Sequence, residues 1–156
     1  MATYTAPVRD IDFVLNELLD APQAFADMGE SDDIGADLIQ SILEEAGKVC
    51  ENELFPCNQI GDEQGCTLAD GKVTTPDGFK EAYKALSEGG WTALSCDPKY
   101  GGQGLPETVK FAVEEMVCSA NVALSLYPGL TAGAYRALMG FASEQIKDQY
   151  LPKLVS

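Results

Sequence analysis

Apolar residues along this chain recur mostly at three- and four-residue intervals, the spacing that lines side chains along one face of an α-helix. Ile11, Val14, Leu15, Leu18 and Leu19 form the first such run and predict a short leading helix, which Pro22 interrupts. The acidic, glycine-containing stretch from Asp27 to Asp33 then reads as a connection. Ser31 suits a helix cap, with Asp32 and Asp33 in the first turn, where negative charge offsets the positive helix end. A long helix should follow, burying Ile34, Leu38, Ile39, Ile42, Leu43, Ala46, Val49, Cys50 and Leu54 and turning Glu44, Glu45 and Lys48 to water, until Pro56 ends or kinks it.

Residues 57–75 are the least regular part, and Asp70-Gly71 within them favours a tight hairpin turn. Thr75-Pro76-Asp77 reads as a helix start whose buried face is Phe79, Ala82, Tyr83 and Leu86, stopped by Gly89-Gly90. The stretch Asp97 to Pro106 is dense in glycine and proline and so irregular. Pro106 and Glu107 open the next helix, with Val109, Val113, Met116, Val117 and Ala120 inward. Asn121 to Ala142 is apolar nearly all round and predicts a central buried helix or helix pair, with Gly129 and Gly133 marking close helix packing. A segment of that length could span a bilayer, but Arg136, the Pro128-Gly129 break and the lack of flanking basic residues argue for a core. A last helix starts at Ser143 as cap, carries Ile146, Tyr150 and Leu151, and reaches Pro152. The expected fold is all-α: an orthogonal or up-and-down bundle of about five to six helices, with a short leading helix and an irregular hairpin-like loop near residues 66–74.

Charge and composition narrow the chemistry. A net charge of -15, with Lys and Arg numbering only ten among 156 residues, excludes nucleic acid and acidic membrane surfaces as partners. The chain has no histidine, which removes the usual general base, the usual metal ligand and every histidine-activated nucleophile at once. The five cysteines form no CxxC pair and read as reduced thiols in a cytoplasmic protein, and the start lacks the basic-then-apolar pattern of a secretory signal. The loop Gly101-Gly102-Gln103-Gly104 is not a dinucleotide fingerprint, because GxGxxG needs glycine where Glu107 stands, so it reads as a structural turn. Glu44-Glu45 and Glu114-Glu115 diverge around their helices and make no shared acid-base site. Neither a catalytic set nor a metal site is expected within the chain.

Three stretches in order, Asp97-Pro-Lys-Tyr-Gly-Gly-Gln-Gly-Leu-Pro106, Glu114-Glu-Met116 and Ser143-Glu-Gln-Ile-Lys-Asp-Gln-Tyr-Leu-Pro-Lys-Leu154, resemble the acyl-CoA dehydrogenase family. Ile146 replaces a common glutamine of the last motif. The resemblance covers roughly residues 34–154, while residues 3–20 and Asn121 to Thr131 look like a longer bacterial subgroup, one branch of which handles methylthiopropionyl-CoA.

It implies a leading helix and connection over residues 1–30 and the family's helical N-terminal domain over residues 31–156. The central β-domain and the C-terminal helical domain, with most FAD contacts and the catalytic base, would lie outside this chain. The implied activity is α,β-dehydrogenation of an acyl-CoA thioester, with electron-transfer flavoprotein as acceptor and a homodimer or homotetramer as the assembly. Alone, the domain would be inactive. Its share would be a wall of the acyl pocket, and ungapped alignment between Glu114-Glu115 and Tyr150-Leu151 puts the wall at Leu124, Ser125, Pro128 and Ala132. Two alternatives stay open: a free-standing helical interaction module, and the same scaffold in a nitroalkane-oxidase-like or alkylation-response flavoprotein.

Overall fold

In the computed structural model, which describes residues 3–29 and 33–156, the apolar periodicity resolves into an all-α domain. The expected cap at Ser31 and its neighbour Asp32 lie outside the described residues. Helix α1 (Val8–Asp12) runs into a π-helical turn over Phe13–Leu18, and α2 (Ala21–Asp27) follows directly. Pro22 therefore does not interrupt the leading helix. The chain turns two residues earlier, at Asp20 with φ 48°, and the proline occupies the first turn of α2, where its missing N–H has no partner to lose.

Helix α3 (Ala36–Val49) widens into a π-helical segment over Cys50–Leu54, tightens to a 3-10 turn over Phe55–Cys57 and resumes as α4 (Asn58–Gln64). Pro56 thus redirects the chain, and helix continues into a stretch expected to be irregular. Strands β1 (Thr67–Ala69) and β2 (Lys72–Thr74) pair antiparallel around Asp70 and Gly71, both with positive φ as a type I′ turn demands.

Helix α5 (Phe79–Glu88) begins later than its proline suggests. Asp77 is held instead by α4: the Gln64 side chain accepts from the Asp77 amide at 3.0 Å and donates to its carboxylate at 3.1 Å. Phe79, Ala82 and Leu86 are buried as expected, whereas Tyr83 stays at the solvent edge.

A 3-10 turn over Pro98–Tyr100, capped by the Asp97 carboxylate, leads to α6 (Glu107–Ala120), α7 (Val122–Phe141) and α8 (Glu144–Val155). Pro152 lies inside α8 and does not end it, because the last turn is held by Leu151 and Val155 packing against Tyr100 and Tyr135. The Ser143 side chain makes no capping bond, and Ile146 and Tyr150 face outward.

Two apolar cores result. The larger gathers Ile39, Leu43, Cys50 and Leu54, the inner face of α5, and Val109, Val113, Met116, Val117 and Ala120 of α6, and ends at Leu124. The leading segment is fastened across it: the Tyr4 hydroxyl donates to the Met116 carbonyl at 3.1 Å, its ring stacks on Phe55, and the Ala6 amide donates to Glu51 at 2.8 Å. The smaller core joins Ala93, Cys96, Tyr100, Tyr135, Leu151 and Val155.

The expectation that Asn121 to Ala142 forms a central buried helix is not met. It is one continuous helix through Pro128, and within it only Leu124 and Tyr135 are buried. Leu130 is 85% and Phe141 93% exposed, with Val122 and Leu126 open beside them. Gly129 and Gly133 do not mark close packing, since a β-carbon built on either would meet nothing within 4 Å among the described residues. An all-round apolar helix here buries one face against α6 and α8 and leaves the other uncovered. No helix among the described residues is long and apolar enough to cross a membrane.

All five cysteines are free, and burial pushes the Cys50 thiol, ordinarily 9.0, up to about 12, with Glu51 adding to the effect. Burial likewise raises the Tyr4 hydroxyl from 10.0 to about 12. A folded-state value above the unfolded one favours the protonated native state, so this stability is intact below pH 9.0 and drains as pH rises toward about 12. Urea midpoints should fall across that window, and Cys50→Ala should flatten the fall. An unchanged slope in the variant would remove Cys50 as its source.

Candidate functional site

Helix α7 passes from one core to the other, and a cavity opens between it and the larger core. Asn121 fixes its start: the side-chain oxygen accepts from the Leu124 amide at 3.1 Å while the side-chain nitrogen donates to the Leu54 carbonyl, also at 3.1 Å. Leu124 is wholly buried in the larger core and Tyr135 belongs to the smaller. Between these anchors Ser125, Pro128 and Ala132, with Leu126 beside them, line a cavity of about 240 Å³, bounded elsewhere chiefly by Leu86, Trp91, Val113 and Val117. Of the four aligned positions, three share this cavity and Leu124 does not. Small residues at 125, 128 and 132 leave the space open, and large ones would close it.

The lining is chiefly apolar. The Ser125 hydroxyl donates to the Val122 carbonyl of its own helix at 2.7 Å, so it makes no demand on an occupant. Glu114 stands at the rim, paired at 2.6 Å with Lys110, a lysine only 7% exposed that the helical pattern did not single out. A second cavity of about 180 Å³ adjoins across Pro128 and Ala132, lined also by Cys96, Tyr135 and Leu154. Trp91, the chain's one tryptophan, was likewise not among the expected wall residues.

The glycine loop has no amide to offer an anion. The N–H groups of Gly102, Gln103, Gly104 and Leu105 donate to Asp97, Ala93, Cys96 and Leu94 carbonyls at 2.8–3.1 Å. The described residues thus provide no phosphate cradle there for a flavin nucleotide. Nor is any cluster of three or more His, Cys, Asp or Glu among them placed to hold a metal ion. The Glu44-Glu45 side chains engage Gln40 and Lys48 on the surface of α3. Arg136 pairs with Glu107, which also accepts from Ser95, and the Tyr135 hydroxyl accepts from the Asp97 amide at 2.7 Å, tying α7 to the loop before α6. The arrangement can enclose an apolar group, but it supplies no set of groups for chemistry.

Residues 37–156 match the family described as acyl-CoA dehydrogenase, N-terminal domain. The chain is 40% identical over 154 residues to the 3-methylmercaptopropionyl-CoA dehydrogenase of Ruegeria pomeroyi, an overlap of 99% of this chain and 26% of the relative. A butyryl-CoA dehydrogenase of Syntrophomonas wolfei is 33% identical over 98% of this chain and 25% of its own length. A broad-specificity linear acyl-CoA dehydrogenase of Mycobacterium tuberculosis is 31% identical over 94% of this chain and 24% of its own. The chain spans about a quarter of the length of these relatives. With both the helical architecture and the family match in hand, the chain belongs to the acyl-CoA dehydrogenase family, of which it carries the N-terminal helical domain.

Proposed function

We propose that this domain serves an FAD-dependent dehydrogenase that desaturates an acyl-CoA thioester between its α and β carbons, and that it forms one wall of the acyl pocket. The observation that carries the reading is the apolar cavity between α7 and the larger core, lined from α7 by Ser125, Pro128 and Ala132 among others. Relatives named for acyl-CoA substrates, aligned over nearly the whole chain, support it. The domain's contribution is exclusion of water and orientation of the acyl tail. In this reading the base and most flavin contacts belong to the parts of the longer relatives that this chain does not cover, and the domain alone is inactive. Electron-transfer flavoprotein as acceptor, a homodimeric or homotetrameric assembly and a cytoplasmic setting complete the proposal.

Purified full-length protein should show a flavin spectrum that bleaches on adding acyl-CoA; a colourless protein, or a flavin indifferent to every acyl-CoA, would overturn the reading. Within that enzyme, Ala132→Phe should lower kcat/KM for long acyl chains about tenfold more than for short ones, the effect of one or two methylenes losing their place. Equal losses at every chain length would remove α7 from the pocket. The uncovered face of α7 favours a second reading, a helical docking module, for which the same preparation would carry no flavin.

A further inference from the structure

Trp91 stands out within the cavity because a glycine and a clamped turn make room for it and hold it. It lies in the segment after α5, half-buried, and lines the same space as Ser125, Pro128 and Ala132. Its amide donates to the Leu86 carbonyl at 3.0 Å, which fixes the backbone as the helix ends. A β-carbon built on Gly89 would come within 2.6 Å of the indole Nε1 and 2.7 Å of Cδ1, and within 2.8 Å of the Ala85 carbonyl oxygen, so the ring and the end of α5 together occupy the room that another residue at 89 would fill. Gly90 turns the chain at φ 74°, and its carbonyl accepts from the Gln103 side chain at 3.0 Å. Gln103 is itself anchored through its amide to the Ala93 carbonyl. The glycine loop, which has no amide left for a ligand, thus contributes a clamp on the turn that carries Trp91.

We propose that Trp91 is the residue that limits acyl-chain length in this cavity, with Gly89 as the positioning residue that sets the indole against it. The inference rests on the acyl-pocket reading above. From α7 the lining takes Ser125, Leu126, Pro128 and Ala132, whereas Trp91 is the largest side chain in it, and a rigid aromatic held by two torsions makes a firm stop. The class of substrate favoured is the short acyl thioester, and long straight chains are the class turned away.

The test measures kcat/KM of the full-length enzyme for butyryl-, hexanoyl- and octanoyl-CoA. Trp91→Ala should raise the octanoyl-to-butyryl ratio about tenfold, and Trp91→Phe should raise it by less in the same direction. Gly89→Ala should change the ratio more in the parent enzyme than in the Trp91→Ala background, where only the approach of the new β-carbon to the Ala85 carbonyl remains; equal effects in both would remove Gly89 as a positioning residue. Where Trp91→Ala fails to fold, Trp91→Phe and Gly89→Ala decide. A ratio that moves less than about twofold in the Trp91 variants, while Ala132→Phe lowers it, overturns this inference and leaves the pocket reading standing. Should Ala132→Phe also leave the ratio unchanged, the pocket reading falls and this inference with it.

Discussion

Exchanging Gly102 for alanine is expected to abolish folding. A β-carbon there would lie 2.0 Å from the Cys96 carbonyl oxygen, 2.2 Å from its carbon and 2.5 Å from its β-carbon. No flexible side-chain end is available to yield. The Cys96 carbonyl is held by the Gly104 amide at 2.9 Å, and the flanking amides of Gly102, Gln103 and Leu105 close the same loop onto Asp97, Ala93 and Leu94. Overpacking in a core usually costs about 1–3 kcal/mol because side chains give way. Here backbone must separate from backbone, and a loss of about 5 kcal/mol or more equals much of a domain's whole stability. Gly129→Ala is the matched control: it meets nothing within 4 Å and sits in regular helix, so it should gain about 0.5–1 kcal/mol. Urea titration followed by far-UV circular dichroism reads both. A cooperative transition for Gly102→Ala within about 1 kcal/mol of the parent would show the loop to be more yielding than its hydrogen bonds imply.

Asn121→Ala should cost about 3 kcal/mol, the second-largest effect. The side chain is 1% exposed and serves two elements at once, capping α7 through the Leu124 amide and covering the Leu54 carbonyl where the π-helical segment hands over to the 3-10 turn. Loss of a cap costs about 1 kcal/mol, and each buried group left without a partner about 1–3 kcal/mol. The Leu54 carbonyl keeps a weak second donor in the Cys57 thiol at 3.2 Å, which holds the total near the lower end. Asn121→Asp would keep the acceptor for α7 but turn a carboxylate toward the Leu54 carbonyl, so it should be no less damaging than alanine. A loss below about 1 kcal/mol for Asn121→Ala would mean that water replaces both bonds.

Helix faces that bury one side were legible before any coordinates. All five inward residues expected of α6 are buried, and the Asp70-Gly71 turn joins two strands as read. At Pro56 the expected end or kink is found, as the helix gives way to a 3-10 turn. The misreadings share a physical cause. Pro22 instead sits in the opening turn of a new helix, and at Pro152 packing against the smaller core carries the last helix on to Val155. Apolarity predicts burial of α7, but hydropathy reports only that a face avoids water, not what shields it. At the site, the small residues on α7 were visible, but Trp91 reaches the cavity through tertiary packing that no local period encodes. The role of Asn121 is not legible from local pattern, because the Leu54 carbonyl that it covers lies 67 residues away.

The uncovered face of α7 bears on more than solubility. The helix is one stiff rod, with Leu130 and Phe141 on its outside and Pro128 and Ala132 on the cavity. A rod cannot be pushed on one side without moving on the other. Whatever rests on the outer face therefore also sets the width of the space within, and evolution can retune the interior from a surface that never touches its contents.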